Sequence, residues 1–457
     1  MQENVVKISD ILNHRYDPYF YRKEFTILDK AIDNSSFPFA PIWKISDFVV
    51  DGLHKKPEYS EERKNVAFIQ ISNISESHID LTRNLKYLSQ NSEKEALSRY
   101  TGKNGDVLVT KDGTIGIAAR VKDVNIPFSI FVSVAAIRPK KDEIDPYFLE
   151  IVINSSIVQR QIKRAQRGAV LQHLLLEEIR NLKIPMMENQ EAVITIMDKA
   201  YNLKKEKELE AKNLLASIDD FVLDALNIKL PPFKKEKEYT TQISNILGSR
   251  FDSDYNQNYY QQLQIAMENV EASKVMTLHS LTSQQTVDTK NCNFINYIDL
   301  GSIDEDTNTI NYKRIENQNI PSRAKMHIAK GDFIFSGLAG SISSIALVDR
   351  QLENMVASTG FYVIKPSDEY NVAYLFALFK TKFMQNLLVR HASGAVMPSI
   401  SNIELKNIKI PLPSKDIQNK VANYVLETIR EAKSLQKEAN SGLERAKQEV
   451  EKILLGE

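Results

Sequence analysis

The chain has 457 residues, 42% of them hydrophobic and 26% charged, a composition that fits two to four globular domains. Its 59 basic and 59 acidic residues cancel, so overall charge gives a nucleic-acid binder no support and any such surface has to be local. The single cysteine, Cys292, excludes an intrachain disulfide and a cysteine-cluster metal site. No apolar run is long enough to span a bilayer and residues 1–20 hold no signal-peptide core, so the expectation is a soluble, cytoplasmic protein.

In chain order, the first distinctive segment is KISDILNHRYD (7–17), where Arg15 stands two residues before Asp17. A polar stretch, 48–104, follows. GDVLVTKDGTIGIAARV (105–121) predicts a Gly-Asp turn entering a strand, and FVSVAAI a further strand. DPYFLEIVINSSIVQRQIKRAQ (145–166) predicts one amphipathic helix, which runs on into RGAV and then NLKIP (181–185). Gln190 opens a long helical pattern with a seam at Val193, Met197, Ala200, Lys204, Lys207, Ala211, Leu214, Ile218, Phe221 and Ala225. KLPPFKKEKE (229–238) has the prolines and charges of a linker.

The chain then repeats itself. QISNILGSRFD (242–252) answers 7–17, pairing Arg250 with Arg15, and GDFIFSGLAGSISSIALV (331–348) answers 105–121. RHASGAVMPSISNIELKNIKIP (390–411) matches RAQRGAVLQHLLLEEIRNLKIP (164–185) at nine of 22 positions. Gln418 then opens a second long helix, with a heptad seam at Val425, Ile429, Ala432, Gln436, Ala439, Leu443, Ala446, Val450 and Ile453. Helices of this size would be roughly 55 Å long. Alanines on both seams favour the two helices packing on each other over each lying on its own domain. The fold class expected is α+β: two similar mixed α/β domains at 1–188 and 239–415, long helices at 189–228 and 416–457, and a linker at 229–238. Segments 48–104 and 270–328 have almost no mutual similarity although their flanks match, which suits two binding heads of one architecture and different specificity.

The cancelled charge is unevenly spread. Residues 151–176 hold no acid but carry Arg160, Lys163, Arg164 and Arg167 at i, i+3, i+4 and i+7. The acid-free stretch 371–403 carries Lys380, Lys382, Arg390 and His391. A solvated helical face would look the same in one copy. Recurrence in both favours a polyanion-binding face, with these eight residues on or near it. Lys111 and Thr114 in the turn TKDGT, with Ser336 and Ser341 in its counterpart, are weaker candidates. Arg15 and Arg250 fit a structural ion pair better than a DNA contact. No P-loop, dinucleotide fingerprint or metal-ligand spacing occurs, and LPPF (230–233) lacks the polar first residue of an amino-methyltransferase loop. No acidic pair recurs at like positions, as shared catalysis would require.

The order of Gly-Asp strand, basic helix, SGAV…IELKNIKIPLPSKDIQ and long heptad helix, given twice, resembles the specificity subunit of a Type I restriction-modification system. Met186 and Met187 of the first copy depart from the Leu-Pro of the second. The resemblance covers essentially the whole chain. It implies two target recognition domains related by a pseudo-twofold repeat, each reading half of a split site in double-stranded DNA. It implies an antiparallel coiled coil of the two long helices as spacer, and no catalysis by the chain. It implies two methyltransferase subunits as partners, restriction/translocase subunits in the full complex, and S-adenosylmethionine, ATP and magnesium held by those partners, with no catalytic or metal site here. A specificity subunit of another methylation-based defence system, a protein-binding scaffold, and an enzyme with an unrecognised site are the rivals.

Overall fold

The computed structural model describes residues 18–62, 65–82, 84–167, 172–230, 233–234, 236–243, 250–271 and 274–456. It divides into two units, residues 1–205 with 440–457, and residues 206–439.

In the first unit, helix α1 (Lys23–Asp33) buries Phe25, Leu28 and Ile32, one stripe at helical spacing. Eight strands then form two four-stranded sheets: β1 (Ser46–Asp51), β2 (Tyr59–Ser60), β3 (Ala67–Ile69), β4 (Lys86–Leu88), β5 (Val107–Thr110), β6 (Ala118–Arg120), β7 (Phe128–Ile130) and β8 (Val134–Pro139). The first sheet runs β1-β8-β5-β6 and the second β7-β3-β4-β2. Helix α2 (Gln90–Arg99) lies between β4 and β5 in sequence. Strand β5 is buried on both faces, which is why it reads as an unbroken apolar run. Val107 and Val109 face helices α3 (Pro146–Asn154) and α4 (Ser156–Ala165), while Leu108 faces the second sheet. The first sheet is thus the middle layer.

The sequence predicts one helix over 145–166; the protein makes two. Ser155 leaves the helical region (ψ 156°), and its hydroxyl donates to the Val152 carbonyl at 2.7 Å. The second unit breaks at the same place. Thr381 (ψ 145°) separates the helices Val372–Lys380 and Lys382–His391, and its hydroxyl donates to the Leu378 carbonyl and accepts from the Met384 amide. A Ser/Thr side chain that bonds the neighbouring backbone, on one side at Ser155 and on both at Thr381, competes with helix continuation.

Two long helices complete the chain, α5 (Gln190–Ala225) and α9 (Lys415–Leu455). The first unit takes α5 through residue 205 and α9 from residue 440. There Val193 and Met197 share a core with Leu443, Ala446, Val450 and Leu454.

The second unit repeats the plan with α6 (Asn258–Glu268), α7 (Val372–Lys380), α8 (Lys382–His391) and strands β9 (Thr282–Ser283), β10 (Phe294–Ile298), β11 (Lys313–Glu316), β12 (Ala324–His327), β13 (Phe333–Ser336), β14 (Ile345–Leu347), β15 (Met355–Ser358) and β16 (Phe361–Ile364). Its first sheet, β9-β16-β13-β14, has the same order as its counterpart. The second sheets differ. Both keep a parallel pair, β3 with β7 and β10 with β15, flanked by an antiparallel strand, β4 or β11. The fourth strand is β2 beyond β4 in the first unit, but β12 on the opposite edge, beside β15, in the second. The divergent segments therefore hold a common centre and exchanged edges. Here α5 and α9 pack antiparallel: Phe221 stacks on Tyr424 at 3.6 Å, and Lys207 pairs with Glu438 at 2.7 Å.

Two recurring sequence features are structural. Asp106 and Asp332, each 1% exposed, bind Arg138 and Lys365 at 2.7 Å, behind glycines 105 and 331 with φ of 97° and 92°. Gln190 and Gln418 each accept from the backbone amide of a helix N-cap, Asp145 and Asn371, both at 2.8 Å. Each long helix is thereby pinned to the domain helix of its own unit.

Candidate nucleic-acid interface

The basic residues of 151–176 do not form one free face. Arg160 is exposed and donates to the Ser156 hydroxyl at 3.0 Å. Lys163 is exposed and pairs with Glu24 at 3.4 Å. Arg164 is a correction to the expected placement: its guanidinium grips both oxygens of Asp29 at 2.8 Å, donates to the Phe20 carbonyl and lies 3.9 Å over the Phe20 ring. It fastens α4 to α1. Arg167 lies beyond α4 and pairs with Glu178 at 2.5 Å, still 45% exposed.

The second unit departs further from the expected exposed face. Arg390 is 8% exposed; it donates to the carbonyls of Tyr255 and Tyr260 and to Gln264, and lies over the Tyr255 ring. His391 is 2% exposed and bonded to Glu404 at 2.8 Å; burial pushes its imidazole down to about 4. Lys380 gives its ammonium to the carbonyls of Glu305 and Asp306, and burial lowers it to about 8. Lys382 alone of the four has an exposed side chain. Spacing put the four residues of the first stretch on one face, and the second stretch was matched to it by its place in the repeat; neither signal says whether the side chains turn inward. Arg250 pairs with Asp252 at 2.6 Å and donates to the Ala392 carbonyl, so the structural reading holds for it; Arg15 lies outside the described residues.

The weaker candidates lie beside the backbone pairs that flank the recurring small-residue segment, of which residues 168–171 lie outside the described residues. In the first unit Arg167 and His173 exchange backbone hydrogen bonds, and Leu174 donates to the Lys111 carbonyl at 2.9 Å, which sets the turn of Lys111 and Thr114 beside that pair. Thr114 is exposed and its carbonyl takes the Thr110 hydroxyl. In the second unit Ala392–Ser393 pairs with Ser399–Ile400, and Ala339 donates to Pro398, so the turn carrying Ser341 lies against that hairpin. Ser336 is fully buried and bonded to Leu338, which removes it from any surface.

Sequence reading missed the residues around Lys111. Its side chain is 13% exposed and its ammonium 3.0 Å from Asp51; His54 is 3.0 Å and Arg99 3.7 Å from the same carboxylate. Burial raises Asp51, but the bonds from His54 and Lys111 outweigh it and hold the carboxyl below its usual value. These groups are spread over residues 51–111, so no local spacing announced them. Among the described residues no group of histidine, cysteine and carboxylate side chains could hold a metal ion, and no helix is long and apolar enough to cross a membrane.

Residues 267–445 match the family described as Type I restriction modification DNA specificity domain. The chain is 25% identical over 167 residues to the Type I restriction enzyme EcoBI specificity subunit of Escherichia coli, which is 36% of this chain and 34% of that one. It is 35% identical over 71 residues to the MjaIX specificity subunit of Methanocaldococcus jannaschii, 16% of each chain. These alignments span about a third of the relatives' own length, or less. A solved chain from work on complex assembly and conformational transition of the type I R-M system aligns over 92% of this chain and 96% of its own, at 14% identity and a TM-score of 0.49. The resemblance read from the sequence is borne out as similarity: residues 267–445 match a Type I restriction-modification DNA specificity domain, and the chain is similar over part of its length to specificity subunits of such systems.

Proposed function

We propose that the chain gives sequence choice to a Type I restriction-modification complex, each unit reading one half of a bipartite site in double-stranded DNA. The observation that carries this is the specificity-domain match over 267–445, joined to a sequence repeat that supplies the same frame a second time. The chain recruits two methyltransferase subunits and, in the full complex, restriction/translocase subunits. It acts in the cytoplasm and makes and breaks no bond itself; S-adenosylmethionine, ATP and magnesium belong to the partners. Arg160, Lys163, Arg167 and Lys382, with exposed side chains, are its candidates for phosphate contact, with Lys111, Thr114 and Ser341 as weaker ones.

Methylome sequencing of a host carrying this gene with its methyltransferase tests the reading. A split motif with two defined halves and an unread spacer is expected. Methylation that follows no split motif, or turnover by the purified chain without partners, overturns it.

A further inference from the structure

The divergent segment of the first unit assembles a group of basic side chains at the end of the middle sheet. Asp51 closes β1, His54 lies in the turn after it, Arg99 ends α2, and Lys111 follows β5. The turn is fixed by Gly52, where an added Cβ would fall 1.7 Å from the Ile130 carbonyl oxygen; no other residue fits there. One carboxylate serves three basic side chains. Its Oδ1 takes His54 and Arg99, and its Oδ2 takes Lys111. Arg99 also gives the same terminal nitrogen, Nη1, to the Gly52 carbonyl at 3.3 Å. The guanidinium has five N–H donors in a planar fork, and the side chain is 43% exposed. His54 is 54% exposed. At the rim Lys55 and Glu95 neutralise each other at 2.5 Å, and Asp112 adjoins Lys111 in sequence. A single carboxylate leaves Arg99 and Lys111 with one positive charge in excess.

Among the described residues the second unit has no such arrangement. Sheet register puts Gln284 where the first unit has Asp51, and Gly337 where it has Lys111. The feature therefore belongs to one head only, as a determinant of that head's own half-site should.

We propose that His54, Arg99 and Lys111, oriented by Asp51, bind an electron-rich acceptor of DNA in the first half-site. Two sources share that chemistry: a backbone phosphate, and the O6/N7 edge of a guanine. The inference rests on the function proposed above. Asp51 is the positioning residue; it holds the three basic side chains in one geometry and touches no DNA.

The test uses the full chain assembled with its methyltransferase. Arg99→Gln and His54→Gln, both at exposed positions, are compared with the parent in methylated motif and in affinity for a duplex carrying the parental site across a salt series. If the group reads guanine, Arg99→Gln weakens binding about tenfold and relaxes one base in one half of the motif. If it holds phosphate, binding weakens alike on all sequences and the salt slope drops by about one. Asp51→Asn is expected to reproduce the direction of Arg99→Gln, and Arg99→Lys to restore part of the affinity. Unchanged motif, affinity and salt slope in both glutamine variants, with thermal stability intact, overturn the proposal; so does lost assembly with unaltered DNA binding. Because the parent's split motif is measured in the same experiment, its absence would overturn the functional reading instead.

Discussion

Arg164 and Arg390 occupy equivalent places in the repeat and are held alike. Each sends a guanidinium nitrogen to a carbonyl in the segment before or at the start of α1 or α6, and each lies over an aromatic ring there. The group of Asp51, His54, Arg99 and Lys111 occurs once, and most of it comes from the segment the repeat does not share. What recurs in this chain is the fastening of the frame. What differs is where discrimination is to be sought.

That contrast can be broken at several points. The largest effect is expected at Arg390. Arg390→Ala leaves the Tyr255 carbonyl unpaired beside a cavity and should cost the second unit about 3 kcal/mol. Arg164→Ala, with its Asp29 partner 47% exposed, should cost about half as much. Urea unfolding measures both. An arginine whose removal costs no stability would return to the list of ligand contacts.

Acid should then separate the units. His391 is neutral in the folded protein down to about 4, while an unfolded histidine takes its proton near 6.5. The unfolded chain therefore binds more protons between those values, and stability falls as pH falls through that window, by on the order of 2 kcal/mol. His391→Gln should flatten that part of the stability curve, measured by thermal unfolding from pH 7 to 4. A curve unchanged by the substitution would deny the buried imidazole this role.

The paired glutamines give a smaller contrast. Gln418 is 1% exposed and also donates to the Pro413 carbonyl at 2.8 Å, so Gln418→Ala should cost about 2 kcal/mol, against about 1 for the less buried Gln190. Equal costs, by the same unfolding measurement, would mean that burial does not set their worth. The smallest effect on stability is expected for Arg160→Ala with Lys163→Ala, within about 0.5 kcal/mol. Loss of two phosphate contacts would lower the salt slope of DNA binding by about two. An unchanged slope would take α4 off the interface.

Much of the fold was legible because it is periodic. Seven of the nine seam positions predicted for α9, Val425, Ile429, Ala432, Ala439, Leu443, Ala446 and Val450, are buried, and the strands around Val107 and Phe333 fall where their apolar runs put them. The α5 seam drifts at its end, where Val222 and Leu226 are buried in place of Phe221 and Ala225. The helix breaks at Ser155 and Thr381 were hidden because residues on both sides keep helical periodicity. The basic residues were misplaced for a different reason. Spacing locates a residue on a face, but which neighbour covers that face is decided by α1 and α6, distant in the chain. The Asp51 group depends on sheet register and on Gly52, neither of which a linear pattern encodes.

The contact made by Gln190 and Gln418 has a consequence for how such chains diversify. Each glutamine docks on a main-chain amide, a group every residue but proline supplies, so the joint makes few demands on the residues it meets. A foreign recognition module that ends in the same turn could be grafted on by recombination and seat correctly at once. New targets would then arise by exchange of whole modules, with the joint left unrewritten.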